Sequence, residues 1–138
     1  MSADLNLSAI MAIYKQGNAY YNDGHYSRAL RCFYAAWLDI PKPQTDHGIA
    51  ATVLSGIGVS YFKMRKYKLA IEALRSALSC PKTDEHAIIL LRLGQSLHST
   101  GREEQAHIYL RRAHSIAGDD LFANEHPKYL RTIEDFIF

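Results

Sequence analysis

The residues of this sequence that could do chemistry include seven histidines, two cysteines and the adjacent acidic pairs Glu103–Glu104 and Asp119–Asp120. His107 and His114 are seven positions apart, so they could share one face of a helix and bind a metal ion. The other histidines are scattered along the sequence. A helix that carries His107 and His114 would also have an outer surface that faces water. We therefore expect a solvated pair of imidazoles here rather than a metal site, and no bound metal.

The two cysteines, Cys32 and Cys80, are 48 positions apart and form no CxxC motif. Neither a zinc site nor a disulfide framework is indicated, so reduced and partly buried thiols are the expectation. A disulfide between them is the alternative, because both could lie near the same end of stacked helical hairpins.

The acidic pairs are explained by positions on helices and loops. Glu103 and Glu104 open a predicted helix, where the positive end of the helix dipole favours carboxylates. Asp119 and Asp120 follow that helix and could lie in a loop, cap the helix or contact a basic partner. The sequence contains no Walker-type loop and no GxGxxG, GxSxG or HExxH motif. We therefore predict a protein that is not an enzyme and has no cofactor.

Length and composition indicate one globular domain. The chain has 138 residues, of which 48% are hydrophobic and 22% charged. Its formal charge is only +2 and no block of like charges occurs, which argues against a nucleic-acid or membrane partner. The N-terminus has no basic region followed by an apolar run, and no later stretch is long enough to span a membrane. We expect a single domain, residues 1–138, in the cytoplasm.

An internal repeat organises the chain. Gly17, Gly58 and Gly94 are separated by 41 and then 36 residues, and equivalent residues follow each of them at fixed intervals. A large apolar residue comes three positions after each glycine, and alanines come twelve and nineteen positions after it, with a second large residue three positions before the second alanine. In chain order these residues are Tyr20, Ala29, Phe33 and Ala36; Tyr61, Ala70, Leu74 and Ala77; and Leu97, Ala106, Leu110 and Ala113.

This pattern is typical of antiparallel helices that pack closely. Only glycine or alanine lets two helix axes approach at their crossing, while the large side chains fill the space beside it. Turn signals occur at Asn22–Gly24 and Ser99–Gly101, whereas the second unit has Met64–Lys66 and must turn without glycine. Pro41 and Pro81 follow the second helix of the first two units and would end it. The predicted helices cover residues 5–22, 26–39, 47–63, 67–79, 85–99, 103–116 and 126–137.

The repeated positions resemble the tetratricopeptide repeat (TPR), whose pattern runs from Leu-Gly through Tyr, Gly, Tyr, Ala, Phe and Ala to Pro. The first unit supplies nearly the whole set: Gly17, Tyr20, Gly24, Tyr26, Ala29, Phe33, Ala36 and Pro41. The second unit has Arg65 at the hairpin glycine, and the third has Glu103 at the second tyrosine. The resemblance implies an all-α, right-handed α-solenoid of three TPR hairpins (10–41, 50–81 and 86–118) plus a C-terminal capping helix within 121–138, about seven helices in all.

Two segments depart from the repeat. The loop between the first two units, residues 39–46, is longer than in the family, and the chain leaves the pattern after Gly118. A repeat array needs a cap that covers its last stacking surface. The residues at helical spacing that we expect on the inner face of this cap are Tyr129, Leu130, Ile133, Phe136 and Ile137.

The same segments carry a closer resemblance. The strings PKPQTDHGIAATVLSGIGVSYF, ALSCP, LRLGQSL and DDLFANEHPKYL are similar to those of small bacterial TPR proteins encoded beside polymorphic toxins of the rearrangement-hotspot and contact-dependent types. This resemblance implies an immunity protein that binds and neutralises a cognate toxin domain. The alternative, from a different class, is a chaperone or adaptor for a secreted or regulatory client protein.

A protein partner is expected in the concave groove, which the first helix of each hairpin lines in stacked repeats. The repeat phase predicts that these side chains line it: Tyr14, Asn18, Tyr21, Asn22, Ser55, Val59, Phe62, Lys63, Leu91, Arg92, Gln95 and His98. Tyr21, Phe62 and His98 each stand four positions after the phasing glycine and should form a row of binding contacts. The alternative is that these rings pack against the next hairpin or the C-terminal segment.

Chaperone-adaptor members of the wider family grip a C-terminal carboxylate with Lys, Asn and Arg side chains on these helices. Asn18 and Arg92 occupy such positions here, but Tyr14, Gly56 and Ile88 replace the other required residues. The sequence therefore argues against a carboxylate clamp of this type.

Overall fold

A computed structural model describes residues 4–80 and 86–134 of the chain. Within these ranges the fold is all-α, and no helix is long and apolar enough to cross a membrane. The helices are α1 (Leu7–Asn22), α2 (Tyr26–Asp39), α3 (Ile49–Lys63), α4 (Tyr67–Leu78), α5 (His86–Ser99), α6 (Glu103–Ala117) and α7 (Pro127–Glu134).

The helices form a solenoid of three antiparallel hairpins, α1–α2, α3–α4 and α5–α6, in which α2 packs on α3 and α4 packs on α5. This confirms the predicted fold, and every helix starts within two residues of its predicted start. Helix α3 begins at Ile49 because a turn of 3₁₀ helix, Gln44–Asp46, takes up part of the long loop before it. The predictions for Pro81, Phe136 and Ile137 fall outside the described residues.

Each phasing glycine lies directly against a large side chain of the partner helix in its hairpin. A Cβ atom on Gly17 would lie 2.7 Å from the Phe33 ring, and one on Gly94 would lie 2.7 Å from Leu110. Real Cβ atoms do not approach other atoms this closely, so even alanine would force a shift. Phe33 also abuts Gly56 of α3, at 3.0 Å from its ideal Cβ position. The large side chains therefore lie over the glycines, not merely beside them.

The hairpin turns share one backbone conformation although one of them lacks glycine. Gly24 and Gly101 both have φ of 80°, and Arg65 at the equivalent position has φ of 61°. The Arg65 N–H donates to the Phe62 carbonyl oxygen at 3.0 Å, as the Gly24 N–H does to the Tyr21 carbonyl oxygen. Arg65 therefore adopts the left-handed conformation that a side chain disfavours.

The C-terminal segment, residues 118–134, caps the array. It starts with a 3₁₀ turn (Asp119–Phe122) and ends in α7, where Tyr129 and Ile133 are buried and Leu130 is partly buried, as predicted. These side chains and Phe122 form a hydrophobic cluster with residues of the third hairpin: Leu90, Leu91, Leu110 and Ala113. A second, larger cluster joins the first two hairpins to the inner side of the third.

Candidate partner-binding groove

The concave side of the hairpins contains an open cavity of about 440 Å³. Residues of α1, α3 and α5 line it: Tyr14, Asn18, Tyr21, Asn22, Ser55, Gly56, Val59, Ile88 and Arg92. Seven of these are among the twelve predicted groove residues, six of them on α1 and α3 and the seventh, Arg92, on α5.

The tyrosine and asparagine side chains of α1 share one face because they recur at positions 14, 18, 21 and 22. The Tyr14 ring packs against Phe33 with 5.4 Å between ring centroids, and the Tyr21 ring packs edge-on against Tyr26 at 5.3 Å. Burial raises the pKa of Tyr21, and the nearby Arg92 charge opposes this rise. The Tyr21 hydroxyl is therefore neutral near pH 7 and can donate or accept a hydrogen bond.

Arg92 forms the far wall of the cavity and is held by three neighbours. Its Nη1 atom donates to Glu125 Oε1 at 2.7 Å and to Gln95 Oε1 at 2.9 Å, while its guanidinium lies 5.1 Å from the Phe62 ring centroid. Gln95 Nε2 also donates to Glu125 Oε1, at 2.7 Å. The Arg92 and Glu125 side chains are only 12% and 16% exposed, so the pair is largely shielded from water.

The structure corrects the prediction for the third hairpin. Leu91 and Gln95 are buried, with exposures of 1% and 0%, because the C-terminal segment covers this part of α5. His98 lies against the Tyr129 ring of that segment, with centroids 5.6 Å apart. Sequence reasoning missed Glu125, which lies between the 3₁₀ turn and α7, outside any periodic helix. A lone acidic residue in such a position gives no pattern that could have revealed it.

Two further predicted groove residues do not line the cavity. Lys63 is exposed beyond the end of the cavity lining, and the Phe62 ring packs edge-on against Tyr67 of its own hairpin with centroids 5.9 Å apart. Of the expected aromatic row, Tyr21 lines the cavity, whereas Phe62 and His98 are engaged in contacts within the chain.

One of the two histidines of α6 differs from its predicted solvated state. His107 is only 5% exposed, and burial, with a smaller effect of Arg111, lowers its pKa. The prediction is wrong for His107 because the C-terminal segment covers this face of α6. His114 is partly exposed and pairs with Asp119, which places that acid in an intramolecular contact. Within residues 4–80 and 86–134, no three His, Cys, Asp or Glu side chains are grouped as a metal site requires.

The two cysteines and the pair Glu103–Glu104 lie where the sequence predicts thiols and acids at the start of a helix. Cys32 and Cys80 are free thiols, and Cys80 is buried. Glu103 and Glu104 lie in the first turn of α6, as predicted.

The opposite, convex side has a pair of tyrosines on neighbouring hairpins. The hydroxyl groups of Tyr34 and Tyr61 are hydrogen-bonded at 2.8 Å, with ring centroids 6.3 Å apart. Burial and this hydrogen bond raise the pKa of Tyr34 to about 12. The pair joins α2 to α3 on the side away from the groove.

Comparison with solved structures gives the same architecture. The chain is similar to the Yersinia enterocolitica type III secretion chaperone SycD in complex with a peptide of the translocator YopD: 18% identity, TM-score 0.74, covering 96% of this chain and 95% of that chain. It is similar to the Arabidopsis OM64 TPR domain at 15% identity and TM-score 0.72, covering 94% and 95%. The second TPR domain of human RPAP3, in complex with an HSP70 peptide, matches at 16% identity and TM-score 0.66, covering 91% and 92%.

The sequence itself matches a family model over part of its length. Residues 56–120, which run from the middle of α3 into the 3₁₀ turn after α6, match the tetratricopeptide repeat. Together with the three stacked hairpins, these comparisons show that the chain has the tetratricopeptide-repeat fold.

Proposed function

We propose that this chain is a protein-binding module whose concave groove holds a segment of a partner protein, without catalysis. The observation that carries the proposal is the open cavity of about 440 Å³, which is lined by the packed rings of Tyr14 and Tyr21 and by the amide side chains of Asn18 and Asn22. Rigid aromatic rings bind with little loss of conformational entropy, and amides can pair with the backbone of a bound segment.

The groove has few charges that would select a strongly charged ligand. The Arg92 guanidinium is already paired with Glu125, and the other lining residues are uncharged. Asn18 and Asn22 are one helical turn apart, so their side chains can hydrogen-bond successive polar groups of a partner segment. The preferred partner segment is therefore largely uncharged, with apolar side chains that pack against Tyr21 and Val59.

The biological role that we propose is that of a cytoplasmic immunity protein for a secreted bacterial toxin. The support is the resemblance of the 41–62 and 119–130 strings to small TPR proteins encoded beside polymorphic toxins. Binding would keep the toxin domain inactive in the cell that makes it, either by occluding its active site or by holding it in an inactive state.

A chaperone or adaptor for a secreted or regulatory client is the second candidate. The observation that favours it is the similarity in fold to SycD, which is a secretion chaperone whose structure contains a translocator peptide. The two roles differ in what happens after the partner folds. An inhibitor remains bound to the folded toxin domain, whereas a chaperone releases its folded client.

Coexpression with the toxin encoded beside this chain tests the proposal. We expect protection of the cell and a complex that survives purification. Tyr21→Ala and Asn18→Ala should weaken the complex, and a residue that contributes about 2 kcal/mol would weaken it about 30-fold. Tyr34→Ala, on the convex side, is the matched control and should leave the affinity unchanged.

The outcomes separate the alternatives. If the cell is protected but the complex is insensitive to Tyr21→Ala and Asn18→Ala, the partner does not bind in the groove, and the immunity role still stands. A complex that forms only while the toxin domain is unfolded would favour the chaperone. If the cell is not protected and no complex forms, the immunity role is refuted.

A further inference from the structure

The C-terminal segment occupies part of the concave surface of the third hairpin. Glu125 accepts hydrogen bonds from Arg92 and Gln95 of α5, and the Tyr129 ring lies against His98 one turn further along the same helix. The repeat phase assigns all three of these α5 side chains to the groove. The segment therefore sits where a partner that ran the full length of the groove would bind.

We propose that the C-terminal segment is an internal competitor, which closes the third-hairpin end of the groove and is displaced when a partner extends along α5. This inference rests on the proposed function of the groove. In the docked state the partner has access to the cavity on α1 and α3, with Arg92 at its wall. When the segment is released, the partner also gains access to the surface around Leu91, Gln95 and His98.

The packing allows the segment to open without unfolding the array. Its buried side chains Phe122, Tyr129 and Ile133 belong to the smaller hydrophobic cluster, which is separate from the cluster that unites the first two hairpins. Separate clusters of this kind open as local units at lower free energy than global unfolding. The contacts that α3 makes with α2 and α4 do not depend on the segment.

The ion pair between Arg92 and Glu125, one of the polar contacts that hold the segment, is incomplete. Arg92 reaches Glu125 through one nitrogen, Nη1, although a guanidinium can bind a carboxylate with two. Arg92 Nε is buried and has no hydrogen-bond partner among the described residues. A buried donor without an acceptor disfavours the docked state, so release is easier than it would be from a two-point ion pair.

Hydrogen–deuterium exchange of the purified chain tests the opening. Glu125→Gln removes the charge at the contact, and Glu104→Gln removes an exposed acid of α6 as the matched control. We expect the α7 amides to exchange about tenfold faster in Glu125→Gln, while α3 amides and the control variant keep the wild-type rates. Equal α7 rates in all three proteins would overturn the proposal.

A peptide added in trans tests the competition. The probe is a fluorescein-labelled synthetic peptide of residues 118–134, measured by fluorescence anisotropy. It should bind Glu125→Gln up to about tenfold more tightly than the wild type or Glu104→Gln, because the weakened internal segment leaves its site vacant more often. The same peptide carrying Glu125→Gln should lose this binding. Equal binding to all three proteins would refute competition at this site.

A measurement on the wild type covers the case in which Glu125→Gln does not fold. Exchange of α7 amides in rising sub-denaturing urea should report a local opening, with less dependence on urea than exchange of α3 amides. If α7 and α3 amides exchange only through one common unfolding event, the proposal is wrong. These measurements need no partner, so their failure leaves the groove proposal standing, and a failure of partner binding leaves their results unchanged.

Discussion

Replacement of Arg65 by glycine should stabilise this protein. Of the three equivalent turn positions, two hold glycine, Gly24 and Gly101, and only the third, Arg65, has a side chain. All three positions have left-handed backbone, with φ of 80°, 61° and 80° in chain order. The turn hydrogen bonds are equivalent, at 3.0, 3.0 and 3.1 Å. The substitution therefore changes backbone preference without changing the turn. Arg65 is exposed, so little packing is lost.

The magnitude follows from two opposing terms. A residue with a side chain pays about 1–2 kcal/mol to adopt left-handed backbone. Glycine in its place gives the unfolded chain more freedom, which costs about 0.4–1 kcal/mol on folding. The net expectation for Arg65→Gly is a gain of about 0.5–1 kcal/mol in the free energy of unfolding. For a chain of this size, that gain corresponds to a rise of about 2–4 °C in Tm.

Urea unfolding followed by circular dichroism measures this change. Arg65→Ala is the control for the side chain, since it keeps the unfavourable backbone conformation, and it should lie within about 0.5 kcal/mol of the wild type. Gly101→Ala is the reverse experiment, because its Cβ would meet no atom within 4 Å, and it should destabilise by about 0.5–1 kcal/mol. A loss of stability in Arg65→Gly, with no loss in Gly101→Ala, would refute the reasoning.

Three other predictions concern packing and titration. Gly58→Ala should destabilise by about 1–3 kcal/mol in thermal unfolding because its Cβ would lie 2.6 Å from Leu74, whereas Gly48→Ala, at an open position, should change stability by less than about 0.5 kcal/mol. Tyr34 should ionise with a pKa of about 12 in an ultraviolet titration, and Tyr61→Phe should lower this pKa only in part, because burial, the larger cause of the rise, remains. The pKa of His107 is lowered on folding, so the free energy of unfolding should fall as the pH drops below about 6.5, where the unfolded chain binds the proton first. His107→Gln should reduce this slope, and an unchanged slope would contradict the assignment.

The sequence predicted the helices and seven of the nine residues that line the cavity, because both follow from periodicity. Gly17, Gly58 and Gly94 fix the crossing point of each hairpin, and this phase decides which side of α1 and α3 faces inward. Tyr21 and Asn18 were located in this way. Helical spacing within the C-terminal segment, outside the repeat, correctly predicted Tyr129 on the inner face of the cap.

The remaining part of the site depends on a segment without periodicity. Nothing in the repeat phase says that the chain between the 3₁₀ turn and α7 brings Glu125 to Arg92, 33 residues earlier in sequence. Leu91, Gln95 and His107 are buried because this segment covers them. The repeat pattern contains no information about the position of the segment, so these residues were predicted to be exposed. Long-range contacts made by irregular backbone leave no local pattern to detect.

The position of Tyr129 limits how this array can grow. In the first two hairpins the aromatic ring four positions after the phasing glycine packs against a tyrosine of the same hairpin, Tyr26 or Tyr67. The third hairpin has Glu103 at that position, and its His98 packs instead against Tyr129 of the C-terminal segment. A duplicated hairpin inserted between α4 and α5 would keep this arrangement. One inserted between α6 and the C-terminal segment would separate His98 from Tyr129, so this ring contact is compatible with growth of the array before its third hairpin and not directly after it.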